Sequence, residues 1–109
     1  MTQHTNSRLV IHVSEAVEDV SRAIATAGAL RDSFPGIRIR IVVNGPALTA
    51  VPAIDTAEIS TDVDVSVCAI GLQRRDIAQA EIPEGVEVVP AASVVIVEEQ
   101  LNGAMYLRL

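Results

Sequence analysis

Apolar and polar positions alternate along the chain in two rhythms. Leu9 to Val13 (LVIHV) is β-branched and apolar, which predicts a strand. It leads into Ser14-Glu15-Ala16, where Ser14 is placed to cap a helix whose first turn carries Glu15 and Glu18 beside the positive end of the helix dipole. In that helix Val17, Val20, Ile24, Ala27 and Leu30 recur at spacings of three and four and so form one buried stripe, with Glu18 and Arg22 as an exposed i,i+4 pair. Pro35-Gly36 ends it.

The second strand, Ile37 to Val43, opens with Ile37, Ile39 and Ile41 alternating with Arg38 and Arg40, a pattern that predicts a position near a sheet edge. Asn44-Gly45-Pro46 is turn chemistry, and the stretch to Ser60 reads as a loop with one or two short helices, punctuated by Pro52. Val63 to Ala69 predicts a third strand, with Val63, Val65 and Val67 alternating with Asp64, Ser66 and Cys68, followed by Gly71 and a short helix through Ile77. Val86 to Val89, between Glu84-Gly85 and Pro90, is a fourth strand, and Ala104 to Leu109 a fifth. Between them Val94 to Val97 has strand propensity, but Glu98 to Leu101 followed by Asn102-Gly103 ends as a helix does on a glycine cap. The length also suits a crossover, so Ser93 to Asn102 reads as helix.

Strands alternating with helices predict an α/β domain with a mostly parallel sheet and helices on both faces, whose ligands bind at the carboxyl ends of the strands. His12, Asn44 and Cys68 lie at such ends. The 109 residues suffice for a single domain, expected over 8–109, behind a flexible N-terminal leader over 1–7. With 50% apolar and 20% charged residues, the domain is too apolar to be disordered. No apolar run approaches the roughly 18 residues of a membrane span, and the opening residues are polar, so a cytoplasmic protein with no membrane partner is expected.

Fourteen acidic residues against eight basic ones leave a net charge of -6, with no electrostatic footprint for nucleic acid. All the basic residues are arginines, which excludes a Schiff base, a lysine general base and a phosphate-loop lysine. A phosphoacceptor receiver domain is excluded for the same reason, and because no aspartate cluster follows the first strand. The single cysteine, Cys68, rules out an internal disulfide, a CxxC pair and a cysteine-rich zinc site. No cofactor and no metal are expected.

Cys68 is the one residue with distinctive reactivity. It is either a small buried hydrophobe, as free cysteines commonly are, or a thiolate favoured by the start of the following helix and by Arg74 and Arg75. Cys68 to Arg74 also has the C-x5-R spacing of cysteine-dependent phosphatases, but Arg75 stands where a serine or threonine belongs and one glycine is too few to open the loop. The Cys-x-x-Gly-x-Arg loop of rhodaneses fails at Gln73. His12 is a candidate base or hydrogen-bond partner, and Asn44-Gly45-Pro46 a candidate ligand-facing loop, although each also suits a purely structural role. His4 carries no signal, and Glu84, Glu87, Glu98 and Glu99 read as solvated charges.

Taken in order, the histidine-ended LVIHV, IVVNGPAL, VSVCAIGL and the closing IPEGVEVVPAASVVIVEEQLNGAMYLRL resemble the DsrE/DsrF-like (YchN-like) family of small intracellular sulfur-metabolism proteins. The resemblance covers roughly Arg8 to Leu109. It implies a three-layer α/β/α sandwich with a five-stranded parallel sheet, assembly into trimers or hexamers, and a persulfide-carrying cysteine at Cys68. Members often follow that cysteine with a polar Asn-Thr-type loop, whereas Ala69-Ile70-Gly71-Leu72 is apolar here. The apolar fraction independently favours a homo-oligomer.

The resulting expectation is a sulfur-relay or sulfurtransferase-like protein with donor and acceptor protein partners. Cys68 accepts the sulfur, His12, Asn44, Gly45 and Gly71 surround it, and Arg74 favours its thiolate. The alternative is a non-catalytic oligomeric binding module with a structural cysteine, and a phosphatase is a distant third.

Overall fold

The computed structural model describes residues 3–109. The elements are β1 (Arg8–Val13), α1 (Glu18–Ser33), β2 (Arg38–Val43), 3₁₀ turns at Gly45–Ala53 and Thr56–Glu58, β3 (Val63–Cys68), α2 (Ala69–Arg74), a 3₁₀ turn at Gln79–Glu81, β4 (Glu87–Val89), α3 (Ala92–Leu101) and β5 (Met105–Arg108). The five strands form one sheet in the order β4-β3-β2-β1-β5, and every pairing is parallel. The predicted α/β sandwich is therefore present, with all five strands and the crossover helix where the pattern placed them, give or take two residues.

Parallel pairing places residues of one parity on one face. Leu9, Ile11 and Val13 align with Ile39, Ile41 and Val43, and these with Val63, Val65 and Val67. They pack against Val20, Ala23, Ile24 and Ala27 of α1, against Leu48 and Val51 of the long 3₁₀ turn, and against Leu72 of α2. The opposite face carries a smaller core in which Val10, Val42, Cys68 and Val89 meet Ala92 and Val95 of α3. Among the described residues one layer thus holds α1, the long 3₁₀ turn and α2, and the other holds α3 alone.

Four local expectations are corrected. Helix α1 begins at Glu18, with Val17 as its exposed N-cap and no capping side chain; Ser14 Oγ instead accepts a hydrogen bond from Arg108 Nη2 at 2.6 Å. Arg22 pairs with Asp19 at 2.7 Å, one turn away on the i,i+3 side, rather than with Glu18. Strand β2 is the central strand, not a near-edge one. Glu87 and Glu99 are not simply solvated.

The last two corrections share a cause. At the amino ends of the strands the α3 face is lined with ion pairs instead of apolar side chains. Glu99 on α3 accepts from Arg8 at 3.3 Å and from Arg40 at 3.2 Å, Arg40 also donates to Glu87 at 2.8 Å, and the buried Ser66 donates to Glu87 at 3.1 Å. The Glu99 side chain is only 17% exposed, so both of its oxygens are held by arginine where water is scarce. The Ile/Arg alternation of β2 records this ionic layer under the end of α3.

Of the segment expected to be a leader, residues 1–2 lie outside the described residues. His4 N donates to Pro35 O at 2.7 Å, Ser7 N to His4 O at 2.9 Å, and the His4 ring packs edge-on against Phe34 with centroids 5.5 Å apart. No helix among the described residues is long and apolar enough to cross a membrane.

Candidate functional site

Sheet topology selects one end of the molecule. The connection after β3 runs into α2 on the α1 face, and the connection after β4 runs into α3 on the other face. Two adjacent parallel strands whose outgoing segments leave on opposite faces open a crevice at their carboxyl ends. A cavity of about 380 Å³ lies there, lined by Asn44 and Gly45 after β2, by Cys68, Gly71, Arg74 and Arg75 at the end of β3 and along α2, and by the first residues of α3.

Cys68 is the last residue of β3 and the N-cap of α2. Its alternating position puts the side chain on the α3 face among Val10, Val42 and Val89, and the residue is 8% exposed. Helix begins immediately at Ala69, so the Cys68–Arg74 stretch does not form the open loop with which a cysteine phosphatase surrounds a phosphoryl group. Gly71 lies where α2 meets the long 3₁₀ turn, and a Cβ there would run into Leu48 Cδ1. Arg75 is half-buried and donates to Gly71 O at 3.3 Å, while Arg74 is exposed.

Asn44 and Gly45 follow β2 directly. Gly45 adopts φ +61°, and a Cβ there would collide with the backbone oxygen of Ser14, so only glycine lets the β2 exit pass this close to the β1 exit. Asn44 N is held by Val13 O at 3.0 Å, which keeps the Asn44 side chain at the cavity.

His12 does not line the cavity; it acts on Asn44. His12 Nε2 lies 2.8 Å from Asn44 Oδ1, and Nδ1 lies 2.6 Å from the Tyr106 hydroxyl. An amide oxygen only accepts, so Nε2 carries the hydrogen, and in the neutral ring Nδ1 then accepts from Tyr106. The imidazole is thereby held in one tautomer between β5 and the cavity wall. Replacing Tyr106 by Phe is expected to cost no more than about 1 kcal/mol, because water reaches the half-exposed site. The same change should move the His12 Nδ1 resonance in nitrogen NMR, and an unmoved resonance would contradict this tautomer.

Of the residues expected at the site, Cys68, Asn44, Gly45, Gly71 and Arg74 line one cavity, and His12 stands one hydrogen bond behind it. Tyr106 and the Ala91–Ser93 start of α3 were not anticipated. Tyr106 reaches His12 through the β1–β5 pairing, in which Val10 aligns with Tyr106 and His12 with Arg108, and no local signal carries that register. A larger hollow of about 480 Å³ lies at the opposite end of the β1–β5 edge, between Leu30, Phe34, Met105 and Leu107, and is nearly all apolar.

No family model and no curated protein sequence matches the chain. Solved structures do. MTH1491 of unknown function from Methanobacterium thermoautotrophicum superposes with a TM-score of 0.82 at 22% identity, over 94% of this chain and 99% of that one. The conserved protein of unknown function BT1422 from Bacteroides thetaiotaomicron gives 0.68 at 20% identity, over 95% and 96% of the two chains. The ychN protein from E. coli gives 0.69 at 18% identity, over 94% and 99%. At such identities what is shared is the fold: this chain has the five-stranded parallel α/β architecture found in YchN and in the two proteins of unknown function.

Proposed function

We propose that the protein is a sulfur carrier of the DsrE/DsrF-like kind, with Cys68 as the residue that holds the sulfur. The observation that carries this reading is the placement of the chain's one thiol in the wall of the cavity at the topological switch point. The shared architecture with YchN agrees with the family resemblance in the sequence.

The chemistry needs one thiolate. Its sulfur attacks the outer sulfur of a persulfide R–S–SH, the donor's S–S bond breaks, and R–S⁻ leaves with the bonding pair. Cys68–S–SH remains, with the proton still on the transferred sulfur, so no external oxidant or reductant enters. Delivery to an acceptor thiolate repeats the exchange in the opposite sense. Asn44, positioned by His12, and Arg74 supply donors at the cavity wall for the anionic sulfur.

Assembly as a cytoplasmic trimer or hexamer, passing sulfur between donor and acceptor proteins, belongs to the same reading. Val94, Val97 and Leu101, at spacings of three and four along α3, are all exposed, and Tyr106 of β5 is exposed as well. Such an apolar strip is what a second copy would cover.

A second reading, a binding module with a purely structural cysteine, is favoured by the packing of Cys68 in the smaller core. Intact-mass spectrometry of the native protein with a persulfide donor decides between them. The carrier reading expects a gain of one sulfur atom that reductant reverses and that Cys68→Ser and Cys68→Ala both lack. A folded wild type that gains nothing would leave the binding module.

A further inference from the structure

Acidic side chains outnumber arginines fourteen to eight, so an arginine on this surface has little difficulty finding a carboxylate. Arg8, Arg22, Arg31, Arg40 and Arg108 each do so. Among the described residues Arg38, Arg74 and Arg75 make no ion pair, and two of these three line the same cavity. No aspartate or glutamate is among that cavity's lining residues. A local excess of two positive charges therefore opens on a pocket of a protein whose net charge is -6.

Three further features point the same way. The ten-residue α3 starts at the cavity with no side chain capping it, so its first backbone N–H groups and the positive end of its dipole add to the arginine charge. Asn44 has its oxygen occupied by His12, which leaves the Nδ2 amino group, a donor only, as its free polar end. Cys68, more than nine-tenths buried and without a hydrogen-bond partner among the described residues, presents the reacting atom at the same wall. Guanidinium groups, one of whose N–H bonds Arg75 spends on Gly71 O, amide N–H, a helix N-terminus and the Ser93 hydroxyl, which can donate, make a set rich in donors and free of carboxylates, which is complementary to an oxyanion.

We infer that Arg74, Arg75 and the start of α3 form an oxyanion subsite beside Cys68, and that the sulfur donor is a small persulfide bearing a carboxylate or a comparable anionic group. The identity of the ligand as a donor rests on the sulfur-carrier reading; the anion subsite does not. The anionic group docks on the guanidinium pair, and the persulfide end is then directed along the cavity wall to the thiol, which gains effective concentration without any tight contact to the sulfur itself.

Two measurements separate the parts. In the first, the rate of mass gain is compared at low salt for glutathione persulfide, which carries carboxylates, and cysteamine persulfide, which carries none, each normalised to its rate with a free small thiol. Wild type should prefer the acidic donor by about tenfold, and the preference should fall to about one in Arg74→Gln/Arg75→Gln. In the second, thermal melting is followed with inorganic phosphate against chloride at constant ionic strength. Phosphate should raise the Tm of wild type and of Cys68→Ser but not of the double variant, and Arg74→Gln alone, an exposed position, serves if the double variant folds poorly.

Equal normalised rates for the two donors, together with no phosphate shift, would overturn the subsite while leaving sulfur transfer to Cys68 intact. A phosphate shift lost in the arginine variants, with no mass gain from either donor, would support the subsite for a free oxyanion and sink the carrier reading.

Discussion

Truncating Leu48 to alanine is expected to lower the unfolding free energy by about 2–5 kcal/mol and to reverse the sign of a second substitution at Gly71. Leu48 is completely buried, packed from the long 3₁₀ turn onto the larger core. Its Cδ1 occupies the space that a Cβ on Gly71 would need. In wild type, Gly71→Ala therefore overpacks α2 against the turn, at about 1–3 kcal/mol, which outweighs the gain of about 1 kcal/mol from replacing glycine in a helix. With Leu48 already truncated the new methyl enters the space left behind, and the helical gain is what remains. Urea denaturation of the wild type, both single variants and the double variant checks this: Gly71→Ala should destabilise the first background and stabilise the second by about 1 kcal/mol. The same penalty in both would mean that Leu48 is not what restricts α2. Because α2 ends at Arg74 and is capped by Arg75, the contact also fixes where these two cavity-lining arginines stand.

The second large effect is expected at Gly45. Gly45→Ala places a side chain at φ +61°, which costs about 1–2 kcal/mol by itself, and drives it into the Ser14 backbone oxygen. That oxygen cannot rotate away, since it belongs to the chain leaving β1, so one of the two strand exits has to move. The total is expected to reach roughly 3 kcal/mol, and the His12–Asn44 hydrogen bond should be disturbed with it. Gly103→Ala is the matching control: φ there is +91°, yet nothing lies within 4 Å of the added Cβ. The conformational cost alone, about 1–2 kcal/mol, should appear at Gly103, and comparable losses at both glycines would show that the close approach of the β1 and β2 exits contributes nothing.

How much of this was readable from residues follows from which forces are local. Apolar periodicity located the first three strands and α1, because each of these elements buries its own apolar stripe on the sheet, whereas α3 was legible only from its Asn102-Gly103 end and its crossover length, against the strand propensity of Val94 to Val97. Local signals failed at the start of α1, where Ser14 looked like a cap but its hydroxyl is taken by Arg108, a partner from the far end of the chain. They failed again at β2, where alternation normally signals an exposed face; here Glu99 and Glu87 bring charge to meet Arg40 from α3 and β4. The candidate site was visible as residues at strand ends, since a parallel sheet brings those ends together. What joins them was not visible. His12 and Asn44 are 32 residues apart and His12 and Tyr106 94 apart, and each pairing depends on strand order and register.

The strand order also has a consequence for how the chain is made. Strand β1 comes first, yet its second neighbour is β5, the last strand, which arrives only after α3 has carried the chain back across the sheet. During synthesis β1 through β4 can assemble in sequence, each beside its predecessor, while the outer edge of β1 stays bare. An unpaired edge is where other chains add strands. Until β5 has been made, a nascent molecule therefore offers that edge to its neighbours on the same message, and the residues that close it are the ones that complete the environment of His12.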